Sequence, residues 1–234
     1  MISYLKIDIF SNFIIVKSLK KILYIKDIVV FTGVIRQIAH VISFKGDLLT
    51  LRSSYRPHLG DSICINGACL TVVNTIDDIF SVQLSYESQN ILAINNYKKE
   101  KIHIEPAMKM QDRFEGHVVQ GHVDCVGEIL SIIENGVNST DYNIKVPKEY
   151  IKYIIPKGSI AINGISLTIN DVKDDTFRLT IIPYSLKNTL FSTYKIGDKV
   201  NIETDMFARY IYHMFNKKDD KSSWEDIDRK MFTY

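Results

Sequence analysis

Three thiols (Cys64, Cys69, Cys125) and six imidazoles (His40, His58, His103, His117, His122, His213) are the side chains best suited to chemistry in this chain. A thiolate is a nucleophile, and an imidazole can carry a proton near neutral pH. No Cys-x-x-Cys occurs, and no histidine stands at zinc-finger spacing from a cysteine, so no structural metal is expected. An odd cysteine count without a secretory signal points to a reducing compartment rather than a disulfide framework. The informative positions emerge when the chain is laid against itself. Gly60-Asp61-Ser62-Ile63-Cys64-Ile65-Asn66-Gly67-Ala68-Cys69-Leu70-Thr71 returns as Gly158-Ser159-Ile160-Ala161-Ile162-Asn163-Gly164-Ile165-Ser166-Leu167-Thr168, with Ser62 and Ser159 97 residues apart. At matched places Cys69 stands opposite Ser166, Val34 opposite His122, and Ala107 opposite Asp205. One half carries a thiol where the other has a hydroxyl, and the second carries His and Asp where the first is apolar. Duplicated units that diverge at polar positions predict two related pockets with unequal tasks.

Each of these residues also has a structural reading. Cys69 can be a small buried hydrophobe, His117 and His122 can be satisfied structural histidines, and Asp205 can be a helix N-cap. Ser62 and Ser159 can be turn hydroxyls, and Asn66 and Asn163 turn formers. Cys64, opposite Ala161, reads as core.

The elements that must position them are strands. A repeat of this length is a duplicated domain, since solenoid periods run from about 20 to 50 residues. Strands are predicted at 33–41, 48–51, 62–65, 68–74, 80–84 and 102–105, and the second copy repeats the order with 121–129, 143–146, the Asn163-Gly164 hairpin, 179–182 and 200–203. Asn66-Gly67 and Asn163-Gly164 are strong hairpin signals, because a type I′ turn needs positive φ at both central residues. Many short strands with Gly, Asn and Asp turns mean a small antiparallel barrel, and two copies mean two barrels. Pro147 to Tyr153 reads as a short helix or turn. After Asp205 the period changes: Phe207, Tyr210, Ile211, Met214 and Phe215 fall at helical spacing.

The 234 residues are 46% hydrophobic and 24% charged, ordinary values for a globular chain. A net charge of +2 with scattered lysines gives no reason to expect nucleic-acid binding. Lysines interrupt every apolar run of residues 1–29, so no membrane span is expected. That stretch is read as an amphipathic segment or arm outside the repeat. Alternatively the natural chain begins at Val30, where a GTG start codon would be written as valine. Residues 216–234, with Trp224, are read as a loosely held tail.

Taken together, Phe31-Thr32-Gly33-Val34-Ile35, the two hairpins, Gly116-His117-Val118-Val119-Gln120-Gly121-His122-Val123-Asp124, Ile182-Pro183-Tyr184-Ser185 and Val200-Asn201-Ile202-Glu203-Thr204-Asp205 resemble the riboflavin synthase family over about residues 31–210. The resemblance implies an all-β fold of two tandem, similar, six-stranded antiparallel Greek-key β-barrels plus a C-terminal α-helix. The divisions are residues 1–30, an N-terminal lumazine-binding barrel at 31–118, a C-terminal one at 119–205, and the helix and tail at 206–234. It implies a cytoplasmic homotrimer held by that helix, needing no metal or cofactor. The implied reaction is a dismutation of two molecules of 6,7-dimethyl-8-ribityllumazine at one site, giving riboflavin and 5-amino-6-ribitylaminouracil. The site lies between the first barrel of one subunit and the second barrel of its neighbour.

By the same resemblance, Ser62, Cys69, His122 and Asp205 match catalytic positions. Ring and ribityl contacts map onto Gly33, Val34 and Ile35, onto Cys69, Leu70 and Thr71, and onto Gln83, Leu84, Ser85, Tyr86, Glu87 and Ser88. In the second half they map onto Gly121, His122 and Val123, onto Lys157, onto Ser166, Leu167 and Thr168, and onto Ile182, Pro183, Tyr184, Ser185, Leu186 and Lys187. The chain departs from the family at 87–94, at Glu105-Pro106-Ala107, where an arginine is usual, and in the residues preceding Phe31. The alternative is a non-catalytic lumazine- or flavin-binding antenna of the same fold.

Overall fold

A computed structural model describes residues 9–10, 13–14 and 29–216. A two-residue pair, β1 (Ile9–Phe10) with β2 (Phe13–Ile14), precedes the barrels. The other residues of 1–28, and the tail from residue 217 with Trp224, lie outside the described residues.

The first barrel contains β3 (Gln37–Lys45), β4 (Leu48–Arg52), β5 (Ser62–Ile65), β6 (Ala68–Ile76), β7 (Ile79–Gln83) and β8 (Lys101–Pro106). It closes in the order β3-β4-β7-β6-β5-β8, all neighbours antiparallel. The chain leaves β4 across the barrel end and returns through β5, β6 and β7 to pair with β4, which is a Greek key. The second barrel repeats this with β9 (Cys125–Asn135), β10 (Ser139–Lys145), β11 (Ser159–Ile162), β12 (Ile165–Lys173), β13 (Thr176–Ile181) and β14 (Lys199–Thr204), closing as β10-β13-β12-β11-β14-β9. Closure leaves no exposed strand edge. Both barrels, and the helix after them, stand as the sequence predicted.

Alternation decides what each strand buries. In β13 Phe177, Leu179 and Ile181 point inward, while Thr176, Arg178 and Thr180 do not. The first core is built from Leu49, Leu51, Ile63, Ile65, Leu70, Val72, Phe80, Val82, Ile102 and Ile104. Each such side chain contributes about 1.5–3 kcal/mol by leaving water. In the hairpins, Asn66 (φ 49) and Asn163 (φ 47) take the left-handed conformation that type I′ turns require.

Between β7 and β8 lie α1 (Tyr86–Ile91), capped by Ser85 Oγ accepting from Ser88 N, and a 3₁₀ turn at Ile94–Lys98. The second barrel has α2 (Pro183–Asn188), which opens on proline where a helix does not need the missing N–H, and a 3₁₀ turn at Leu190–Thr193. The turn foreseen before Ile154 is a 3₁₀ turn at Ile151–Tyr153. Helix α3 (Met206–Asn216) follows β14.

The barrels meet across a pseudo-twofold seam. Phe31 and Val119 form an antiparallel bridge and pack with Cys64 and Ala161. Cys64 is thus core, as expected, but of the seam and not of a barrel interior. Asn201 Oδ1 accepts from Ala93 N, and its counterpart His103 accepts from Leu190 N at Nε2. Burial holds the His103 pKa down at about 3, so this imidazole is a neutral acceptor.

The largest difference from the sequence reading lies at the start of each barrel. Strands predicted from Gly33 and Gly121 begin at Gln37 and Cys125 instead. Gly33 (φ +76) and Gly121 (φ +74) are left-handed and cannot continue a strand. Their segments reach across to the other barrel.

Candidate functional site

Each crossing segment is held from one side and hands over a carbonyl on the other. The Glu105 carboxylate, at the end of β8, accepts from Thr32 N (2.8 Å), Thr32 Oγ1 (2.9 Å) and Gly33 N (3.0 Å). Gly33 O then accepts from Ser166 N of the second barrel at 2.8 Å. In the matching place Glu203, at the end of β14, accepts from Gln120 N (2.6 Å), Gly121 N (2.9 Å) and His122 N (3.1 Å). Gly121 O accepts from Cys69 N of the first barrel at 2.8 Å. Ile35 packs on the second core and Val123 on the first. Each half therefore finishes the other's site.

The contact is too close for any side chain. A Cβ on Gly121 would stand 2.6 Å from Cys69 Cβ, and one on Gly33 would stand 2.6 Å from Ser166 Cβ. Gly121→Ala should lose about 3 kcal/mol or more in urea unfolding, by clash and left-handed strain together. Gly46→Ala, equally left-handed but with open space around it, should lose about 1 kcal/mol. Equal losses at the two positions would show that the cross-barrel contact carries no weight.

The first candidate face gathers on the outside of β5 and β6. Ser62 pairs with Thr71, and Cys64 with Cys69; these face outward because their neighbours Ile63, Ile65, Leu70 and Val72 fill the core. None of the three cysteines is in a disulfide. Cys69 is half-buried, and the Cys69–Gly121 bond places exposed His122 next along from it. Beside this face a cavity of about 550 Å³ is lined by Thr71, Gln83, Leu84, Ser85 and Tyr86, all on the sequence-derived set, together with Asp47, Val73 and Gln89. Gln83 Nε2 donates to Asp47 Oδ2 at 2.5 Å. Glu87 is exposed and Ser88 half-buried on α1. The side chains of Leu70 and Leu84 are in the core, so a ligand could meet only their backbone.

The second face lies on β11, β12 and β14. Ser159 pairs with Thr168, and Ala161 with Ser166. Ser166 Oγ and His117 Nδ1 are 2.7 Å apart. His117 is 8% exposed, and its Nε2 has no hydrogen-bond partner among the described residues. Burial lowers its pKa, with Asp205 pulling the other way; a neutral imidazole next to a hydroxyl can take its proton. Asp205 Oδ1 accepts from Phe207 N at 2.8 Å, so it is the N-cap of α3 as well as a neighbour of His117. Lys157 is exposed and left-handed (φ 67) where the first barrel has Gly60 (φ 88). Leu167 and Leu186 pack on the second core, while Ile182, Pro183, Tyr184 and Lys187 are exposed around α2 and Ser185 is half-buried.

The four expected catalytic residues are thus divided within one chain. Ser62, Cys69 and His122 stand together, and Asp205 stands with Ser166 and His117. Of the residues that chemistry could use, the sequence reading omitted His117, Asp47, Glu105 and Glu203 from its site set. The glutamates carried a signal, since both copies end their last strand on one. A second cleft of about 490 Å³, lined by Asn66, Lys99, Lys101, Tyr194, Lys195 and Asp198 among others, contains none of the expected residues. Among the described residues no group of three or more His, Cys, Asp and Glu could hold a metal ion, and no helix is long and apolar enough to cross a membrane.

Glu203 is only 2% exposed, and its pKa is raised to about 7: desolvation outweighs its backbone hydrogen bonds and Arg209. A carboxyl raised by folding contributes stability that is complete below about pH 4.5 and lost as pH rises through about 7. The loss is at most about 3 kcal/mol. In denaturant unfolding, the stability difference between the parent protein and Glu203→Gln should fall in the parent's disfavour across that window. A pH-independent difference would show that Glu203 does not titrate there.

A family model described as "Lumazine binding domain" matches residues 32–107 and 120–205. Two curated relatives are the riboflavin synthases of Photobacterium phosphoreum, 38% identical over 85% of this chain and 95% of its own length, and of Bacillus subtilis (strain 168), 37% identical over 85% and 96%. That of Saccharomyces cerevisiae is 39% identical over 66% of this chain and 67% of its own. Two crystal structures of LumP, complexed with riboflavin and with 6,7-dimethyl-8-(1'-D-ribityl) lumazine, superpose with TM-scores of 0.66 and 0.64 over 74% of this chain and 98% of theirs. Their sequences are 22% and 23% identical to this one, so the likeness is one of fold.

Proposed function

The chain belongs to the riboflavin synthase family, and from that premise we propose that it converts two molecules of 6,7-dimethyl-8-ribityllumazine into riboflavin and 5-amino-6-ribitylaminouracil. The observation that carries the proposal is the pair of related but unequal faces, one with Ser62, Cys69 and His122, the other with Ser166, His117 and Asp205. Two identical substrates in different roles call for that arrangement. The atoms of the two lumazines are conserved in the two products, so the exchange of a four-carbon unit needs no outside oxidant or reductant.

One lumazine must lose a proton from its 7-methyl group, and the conjugated ring spreads the resulting charge. The other must be held as acceptor, activated by addition at its ring carbon, with Cys69, Ser62 or water as the adding group. His122 and His117 are the proton carriers we assign, one to each face. The rings must lie face to face, which lowers the barrier by several kcal/mol through proximity alone. We place the working site between the first face of one subunit and the second face of another. We place the subunit contact, a trimer, on α3, and the protein in the cytoplasm. The cavity that Gln83, Leu84, Ser85 and Tyr86 share with Thr71 supports ring or ribityl contacts there.

The test is incubation of the purified protein with the lumazine. Riboflavin fluorescence growing with time is the expected result. A stable, bound lumazine that is never consumed would overturn the enzyme reading in favour of an antenna.

A further inference from the structure

The two carboxylate clamps are alike except in what supports them. In the first, Thr32 contributes its own hydroxyl to Glu105, and the chain after Ala107 returns to Val30 through Met108 N. Arg36, a cation whose charge acts on Glu105, lies half-exposed 3.9 Å from Glu115 instead. In the second, Gln120 replaces Thr32 and has no hydroxyl to offer. Its side-chain oxygen accepts instead from Arg209 NH2 at 2.8 Å, across from α3. The same guanidinium donates through NH1 to Asp124 Oδ1. Asp124 Oδ2 in turn accepts from Thr204 N (2.7 Å) and Thr204 Oγ1 (2.6 Å). One helix side chain therefore grips both ends of the five residues that contain Gly121 and His122. The grip is partly shielded, with Arg209 24% and Asp124 13% exposed. A planar, forked cation suits two acceptors at once in a way that an ammonium does not.

We propose that Arg209 is a positioning residue: from the C-terminal helix it braces the Gln120–Asp124 segment and so holds His122 against the first barrel's thiol face. The consequence for turnover rests on the reaction proposed above; the brace itself does not. It also ties α3 to a reacting group. Whatever seats that helix seats His122.

The test compares the full-length protein with Arg209→Met and Arg209→Lys by site-resolved amide hydrogen exchange and by steady-state turnover of the lumazine. In Arg209→Met, exchange at the Gly121 and His122 amides should quicken about ten-fold or more, because their bonds to Glu203 open locally. Thr32 and Gly33, held by Glu105, should keep the parent's rates and report on the rest of the fold. The kcat should fall about ten-fold in Arg209→Met, and Arg209→Lys, which can hold only one of the two acceptors, should recover only part of that loss. Unchanged exchange at Gly121 and His122 overturns the proposal, with or without a fall in kcat. Equal quickening in both segments overturns it too, since that is general loosening. If the parent protein makes no riboflavin, the functional reading fails, and the exchange rates still decide the brace.

Discussion

Cys69→Ala should lower kcat about 100-fold while lumazine affinity stays within about three-fold, the pattern of a group that acts in the transition state and not in ground-state binding. The site geometry favours a clean experiment. Cys69 lies on the outward face of β6, and its backbone N–H is already engaged by Gly121 O. Alanine keeps that bond and opens no cavity in the barrel core, whose inward residues are Leu70 and Val72. Cys64, its partner across the hairpin, is buried in the seam, and burial pushes its pKa well up, so it cannot substitute as a thiolate. Turnover and affinity can be read from the same fluorescence titration. Unchanged kcat would discard the thiol and leave Ser62 or water as the adding group.

The largest effect is expected from α3. Ile211 is 54% exposed and Met214 72% exposed, on the stripe that also holds Phe207 and Tyr210. The opposite side of the helix is occupied: Tyr212 meets the Tyr153 ring edge-on at 5.2 Å, with Lys152 above it, and Arg209 reaches Asp124. Ile211→Asp together with Met214→Asp should therefore leave the barrels folded and turn the protein monomeric. Turnover should fall about 1,000-fold or more, since the first face of one subunit would no longer meet the second face of its neighbour. Sedimentation and circular dichroism decide it. A trimer that persists would assign assembly to the barrels, and an active monomer would return the site to a single chain.

The barrels were legible because two periodicities coincide. Alternation at two residues marks the strands, and the 97-residue repeat gives every hairpin a second reading. The hairpins at 62–71 and 159–168 form where the two copies align, and their divergence singles out Cys69 and Ser166 as candidates. What could not be read is the crossing of Gly33 and Gly121. A glycine before a run of apolar residues looks like the start of a strand. Only its neighbour in space, Ser166 or Cys69, shows why no side chain fits. The division of Asp205 from Ser62, Cys69 and His122 was hidden for the same reason, since spacing along a chain does not say which face of a barrel a strand end meets. Glu203 was visible as a letter and invisible as a role, because three backbone amides have no signature in sequence.

The reciprocal crossing has a consequence for synthesis. A ribosome releases the first barrel long before β12 exists, so Gly33 O has no Ser166 to receive, and Cys69 N has no Gly121. The nascent first barrel can close its own hydrogen-bonded ring, but it must display the Phe31 and Cys64 seam to solvent until the second copy emerges. Completion is therefore a late, long-range docking step, the slow kind of contact for a chain to make. During that interval the seam of one unfinished chain is offered to the seam of the next on the same message.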